Sequence, residues 1–394
     1  MNIKLACTLG ACLLVCNVFS QYAGIEEILV QIEQNNIELK AFQSYIDGQK
    51  LQNKSGNNLP NPELIGYYLP FGEHQSGDYT EFEISQSFEF PSVYGARNKW
   101  ISLKAEQLQT VFTKKRQEVL LKAKAGLINL AVLQKQEEIE AKRKQQSLQV
   151  FKQVQELYKK DQVGILDLNK AKVAWMQEKF VLERLETEIQ NQIRALQTFN
   201  GGSPLDLSNF QLPVPVQVQT LEILWDEKLA KDPNLLEIRA SEASAGQNVT
   251  LEKNKALPNL ALGYNYQGVS DNTFSGIYGG LSIPLWNSKN KVKAAKANYE
   301  YLQSSTKVEQ QLLYTQFQEE YYQYQLLFDE YSEYQKTMEN LNSEDLLFKA
   351  YSLGEYSFLD YYREIQFYRD AIDKMLQMEK QLQLLQAQLL IHRL

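Results

Sequence analysis

Histidine and cysteine are nearly absent from this chain. Two histidines, His74 and His392, stand more than 300 positions apart, and three cysteines, Cys7, Cys12 and Cys16, fall within the first 16 of 394 residues. That inventory excludes zinc sites and chemistry built on thiol or imidazole groups. No long basic run occurs, and 48 acidic residues against 41 basic ones give a net charge of -7. An electrostatic footprint for nucleic acid is therefore missing. No nucleophile, base and orienting group assemble from these residues, so neither an enzyme activity nor a cofactor is expected. Beyond the first residues no apolar run approaches the roughly 20 needed for a membrane-crossing helix, which leaves strands as the means of any insertion. The remaining composition, 44% apolar, 11% aromatic and 23% charged, supports a packed core and excludes disorder.

Lys4 precedes an apolar stretch from Leu5 to Phe19, and Ser20-Gln21 offers a small-residue cleavage point, the layout of a secretory signal peptide over residues 1–20. A mature chain starting near Gln21 would be exported without cysteine, unable to form disulfides in an oxidising compartment. The alternative is a lipid on Cys16, which bulky Val15 disfavours.

Proline is scarce and unevenly placed: ten in all, none within 92–203 and none within 285–394. A proline costs about 3 kcal/mol inside a helix, so both runs are expected to be long helices. Tyr368, Ala371, Met375, Met378, Leu382, Leu385 and Leu389 follow one another at spacings of 3 and 4, a heptad seam. Leu148, Phe151, Val154 and Leu157 repeat the pattern over a shorter stretch. Each run is expected to break once. The first carries Tyr158-Lys-Lys-Asp161-Gln-Val-Gly164-Ile-Leu166-Asp167, and the second carries Tyr351-Ser-Leu-Gly354-Glu-Tyr-Ser-Phe-Leu359-Asp360, 193 positions later. Gly354 suits the left-handed backbone that ends a helix, and aspartate is among the few other residues that tolerate it, as at Asp161. Two helical hairpins follow.

A strand pair precedes each hairpin. Phe82, Ile84, Phe88 and Phe90 alternate with Glu81, Glu83, Ser85, Ser87 and Glu89, and Ile65, Tyr67, Leu69 and Phe71 share a face of an earlier segment. The second pair sets Leu260, Leu262, Tyr264 and Tyr266 against Ile277, Leu281, Ile283 and Leu285. Strands are expected at about 61–72, 78–91, 258–268 and 273–285, with turn-formers between the members of each pair. Glu73-His74 in the first turn lacks the further ligands a metal would need. Leu59-Pro60-Asn61 recurs as Leu257-Pro258-Asn259, and a shorter helix, 25–56 or 221–255, leads each copy. The unit is helix, strand pair and long helical hairpin, used twice: residues 21–203 and 221–394, with a connector at 204–220. The stretch 201–233 holds two glycines and four prolines and is expected to run over the surface.

Four strands cannot close on themselves when the smallest membrane barrels have eight, so several chains must share one sheet. In this ordered set the chain resembles the TolC-like outer-membrane efflux factors, over about Ile25 to Leu394, through the duplication, the strand-ending Pro91 and Pro284, and the turns that end in Leu166-Asp167 and Leu359-Asp360. The resemblance implies an α+β membrane protein, mostly α: a homotrimer whose 12-stranded outer-membrane β-barrel continues into a periplasmic α-helical barrel. It further implies a periplasmic adaptor (membrane fusion) protein and an inner-membrane RND-type pump as partners. Asn61-Pro62-Glu63 and Phe88-Glu89-Phe90-Pro91 look most like the heavy-metal branch, cobalt-zinc-cadmium and copper-silver. The alternative is a periplasmic coiled-coil adaptor or structural protein without a barrel.

Carried over by position, the family's gate falls on Asp360, the first acidic position of its constriction, while the second is Arg363 here. Tyr356 stands where relatives place an arginine, and Tyr351 keeps the family's tyrosine. Asp167 joins these as a gate candidate; Asp161, Gly164, Gly354 and Glu355 mark the turns that would meet the adaptor or pump. Three copies of Asp360 around an axis would repel one another and attract cations. The plainer role for Asp167 and Asp360 is to complement the starts of the returning helices. Tyr351, Tyr356, Tyr361 and Tyr362 are expected in packing and partner contacts.

Overall fold

The computed structural model describes residues 24–70, 78–207, 210, 212–269, 272–286, 288–339 and 343–394. Residues 1–20, expected to be a signal segment, and Glu73-His74, expected in a turn, lie outside the described residues. Helices α1 (Ile25–Asn35) and α2 (Ile37–Ser55) lead to strands β1 (Glu63–Leu69) and β2 (Tyr79–Phe88), then to α3 (Pro91–Lys159) and α4 (Ile165–Phe199). The order recurs as α5 (Leu221–Lys231), α6 (Pro233–Asn254), β3 (Asn259–Val269), β4 (Asn272–Ser282), α7 (Lys291–Glu339), α8 (Ser343–Ser352) and α9 (Phe358–Leu389). The chain divides into two compact units, one of residues up to Leu39 with Arg116–Leu224 and Phe317–Leu394, the other of Lys40–Lys115 and Trp225–Gln316.

Two sequence expectations need correction. The leading helices, each expected unbroken, are split at Asn36 and Asp232. Asn36 leaves the helical region at ψ 118°, its Oδ1 accepts from the Leu39 amide at 2.8 Å, and its Nδ2 donates to the Phe199 carbonyl at 2.8 Å. Asp232 caps α6 by accepting from the Asn234 amide at 2.8 Å, with Pro233 opening the helix. Burial opposes the ionised Asp232, yet the Lys228 ammonium 2.9 Å away and the cap amide hold its pKa below the usual carboxylate value. Of the limb expected to run to the second turn, α7 and α8 are described, and residues 340–342 between them lie outside the described residues. The connector is also not merely superficial: Leu205, Leu207 and Phe210 are buried in the core of the first unit.

That core packs Ile25, Ile28, Leu29 and Ile32 of α1 onto Leu120, Leu127 and Leu130 of α3 and Leu185, Ile189 and Leu196 of α4. The i, i+3, i+4, i+7 spacing in α1 sets one apolar stripe inward, each full burial stabilising by about 1.5–3 kcal/mol. Gly201 approaches the Asn35 carbonyl so closely, at φ 66°, that a Cβ would sit 2.5 Å from its oxygen. Of the C-terminal heptad residues, Met378, Leu382 and Leu389 are buried, and Tyr368, Ala371, Met375 and Leu385 are half-buried. His392 is buried in a short 3₁₀ turn, Ile391–Arg393.

The second unit carries one antiparallel sheet in the order β1-β2-β3-β4. Registers run from Leu64↔Ile84 through Ile84↔Tyr264 to Tyr264↔Ile277. Paired residues share a side. Leu64, Ile84, Leu262, Ile277 and Leu281 therefore lie on one face, which has no charged residue at its strand positions and is exposed, Ile277 at 89%. Glu63, Glu81 and Glu83 lie on the other, with no basic residue among the strand positions there. Ile65, Tyr67 and Leu69 share this acidic face, so β1 is apolar on both sides. The Asn265 and Gln267 amides donate to Glu81 Oε1 at 2.7 and 3.3 Å, and the Tyr278 hydroxyl donates to Glu83 across strands. The Tyr278 ring lies over Gly263, where a Cβ would meet ring atoms at 2.5 Å. Against the helices, Val93, Ala96 and Leu251 form a small core beside Trp100.

Candidate functional site

Two turns in the first unit carry the sequence-predicted residues. α3 ends at Lys159 and α8 at Ser352; α4 begins at Ile165 and α9 at Phe358, so both turns keep the offset of 193. In the first, the Gln162 amide donates to the Leu157 carbonyl and the Asp161 amide to Tyr158, both at 3.0 Å. In the second, Glu355 donates to Ala350 at 3.0 Å and Gly354 to Tyr351 at 2.9 Å. Each is a Schellman closure, whose left-handed residue is Asp161 at φ 57° and Gly354 at φ 82°. Gly164 and Ser357 are the matching N-caps. Gly164 has no side chain to offer, whereas Ser357 Oγ accepts from the Asp360 amide at 3.2 Å.

Between the turns the side chains pack. The Tyr351 and Tyr361 rings stack at 4.8 Å, among Val150, Val154 and Ile365. Burial pushes both phenol pKa values up to about 12, so neither ionises under physiological conditions. Tyr351, Tyr356, Gly354 and Asp167 line one groove of about 820 Å³ with Val163 and Leu353. Asp360 and Arg363 are not among its lining residues. Asp360 Oδ2 accepts from the Ser357 hydroxyl at 2.6 Å, and Arg363 donates to Oδ1 at 3.3 Å from an exposed position. An exposed pair of this kind contributes about 0.2–1 kcal/mol. Asp161, Gly164 and Glu355 shape the turns through their backbones and do not line the groove.

Sequence reasoning missed a buried charge cluster on the same four helices. Arg143, 3% exposed, donates to Glu140 at 2.8 Å, to Asp373 at 2.9 Å, to Glu344 at 3.3 Å and to the Arg369 carbonyl at 3.4 Å. Arg369 in turn bonds Glu178 of α4. Asp345 accepts from Lys142 at 2.8 Å and from Gln146 at 3.2 Å. Burial raises the Glu140 pKa, with Glu178 and Asp373 adding to the shift and Arg143 opposing it. Partners some 200 positions apart leave no local pattern; only the i, i+3 pair Glu140/Arg143 was visible in the sequence.

Among the described residues no group of three or more histidine, cysteine, aspartate or glutamate side chains could hold a metal ion, and no helix is long and apolar enough to cross a membrane. No protein-family model and no curated protein matches the sequence. Solved structures do. CusC, studied for folding and transmembrane channel formation, superimposes with a TM-score of 0.74 at 14% identity, covering 92% of this chain and 90% of that one. The outer-membrane channel OprN gives 0.75 at 12% identity over 93% and 89%, and the Campylobacter jejuni outer-membrane channel CmeC gives 0.71 at 13% over 93% and 85%. A mostly helical chain with one small antiparallel sheet thus has the fold of these outer-membrane channels.

Proposed function

We propose that the chain is one protomer of an outer-membrane efflux channel, a passive conduit without catalysis or cofactor. One observation carries this: a four-stranded sheet whose edges, β1 and β4, have no partner strand among the described residues, and one of whose faces exposes Leu64, Ile84, Leu262, Ile277 and Leu281 with no charged residue at its strand positions. Water is a poor solvent for such a face, and open edges invite further strands. β2, β3 and β4, at 10, 11 and 11 residues, match the 9–11 residues of a tilted membrane-spanning strand. Three copies would supply the twelve strands of the barrel that the family resemblance implies.

The helices support the same assembly. Leu166, Val173 and Phe180 on α4 stand seven apart and exposed, as do Tyr301, Val308 and Tyr322 on α7 at multiples of seven. Apolar seams of this spacing are completed by a neighbouring helix. Copies placed side by side would bury them in a periplasmic helical barrel, with the two turns at its inner end. There Asp360, Tyr351, Tyr356, Arg363 and Asp167 act as the gate, and the turns at Asp161, Gly164, Gly354 and Glu355 meet a periplasmic adaptor and an inner-membrane RND-type pump. The heavy-metal cations proposed as cargo rest on the likeness of Asn61-Pro62-Glu63 and Phe88-Glu89-Phe90-Pro91 to that branch. The test is conductance of the purified protein in a planar lipid bilayer. Discrete channel steps are expected, with weaker cation preference in Asp360→Ala; a protein that inserts into no bilayer would refute the channel.

A further inference from the structure

We propose that Arg143 is the positioning residue that seats α8, and through α8 the turn at Gly354, so that it holds the tip of the channel in its resting arrangement. The inference rests on the channel assignment above. α8, Ser343–Ser352, offers its neighbours 10 described residues of contact length, against 69, 35 and 32 in α3, α4 and α9. Its seat has an ionic half and an aromatic half. At the N-terminal end Glu344 bonds Arg143, while Asp345 bonds Lys142 and Gln146. One and two turns on, Leu347, Phe348 and Tyr351 enter the cluster that holds Tyr361 and Ile365. The next residues after α8 are the Schellman turn itself, so a shift of α8 is transmitted to Gly354, Tyr356 and the cap at Ser357 with no intervening slack.

Among the ion pairs of the described residues, Arg143 is the one that ties α8 to both α3 and α9, because its guanidinium is shared by Glu140, Glu344 and Asp373 and its remaining reach goes to the Arg369 carbonyl. Without it, those three carboxylates face one another with Glu178 nearby, and Arg369 is already engaged by Glu178. Breaking a buried pair by removing one partner leaves uncompensated charge, and repulsion displaces the element with the least other anchorage. That element is α8. The Asp360–Arg363 pair at the very tip is exposed on both sides and screened by solvent, which makes it the weaker restraint.

Conductance in planar bilayers and hydrogen exchange of residues 343–352 test this on the full-length protein and on Arg143→Met, Arg143→Lys and Glu344→Gln. Arg143→Met is expected to raise mean conductance several-fold and to speed exchange across 343–352. Glu344→Gln should do the same to a smaller degree. Arg143→Lys, which keeps the charge without the planar fork, should fall between wild type and Arg143→Met. Conductance and exchange unchanged in both Arg143→Met and Glu344→Gln would overturn the proposal; if Arg143→Met fails to assemble, Glu344→Gln alone decides by the same two readouts. A larger conductance increase in Arg363→Ala than in Arg143→Met would place control at the exposed pair and likewise overturn it. Failure of the wild type to insert bears on the channel assignment, whereas the exchange of 343–352 still decides whether Arg143 seats α8.

Discussion

At Gly354 the backbone stands at φ 82° with open space around the position, so the cost of a side chain there is conformational alone. Gly354→Ala should destabilise by about 1–2 kcal/mol, and Asp161→Gly, at the matching φ of 57°, should be neutral or stabilising by up to about 1 kcal/mol. Chemical unfolding followed by helical circular dichroism would measure both; equal effects of opposite sign at the wrong positions would show that the two turns are not equivalent. Ser357→Ala removes the α9 cap and should cost about 0.5–2 kcal/mol in the same assay. The left-handed turn residues were legible because glycine and aspartate are rare solutions to a rare backbone, repeated at one offset. Arg143 was not, since nothing local distinguishes a buried arginine from the many solvated ones on a 69-residue helix.

Strands and turns were the most readable elements, helix interruptions the least. Period-two alternation fixes which residues share a face within a strand but not which face of its neighbour it joins; that depends on register, which set Ile65 and Tyr67 beside Glu83 and Glu81. The breaks at Asn36 and Asp232 depend on capping bonds too short-ranged to disturb an apolar period, and Leu205 and Phe210 join a core whose other members lie far away in sequence. On the uncharged face of the sheet, Leu281→Arg should impair membrane assembly by up to about 2–4 kcal/mol near the midplane, while Ser282→Arg, on the opposite face, should be tolerated. The fraction of each variant in the outer membrane reports the difference, and equal tolerance would reverse the assignment of faces. Among the helices, the raised Glu140 pKa means that the folded state favours the proton. Its contribution to stability is full below the unfolded carboxylate value and is lost as pH rises through the folded one. Wild type should therefore lose stability relative to Glu140→Gln across that rise, and a constant difference between the two in thermal melts would contradict the cause given.

For the molecule as a whole, the proposed assembly rests on two sheet edges without a partner strand among the described residues, an exposed uncharged sheet face and exposed seven-residue seams on α4 and α7. The count of four strands was legible in the sequence, whereas the number of copies proposed follows from the family resemblance and not from any contact within one chain. Its most direct test is the mass of the detergent-extracted protein together with the membrane fraction that yields it. Three chains per particle, recovered from the outer membrane, are predicted. A single chain recovered from the soluble periplasmic fraction would contradict the account.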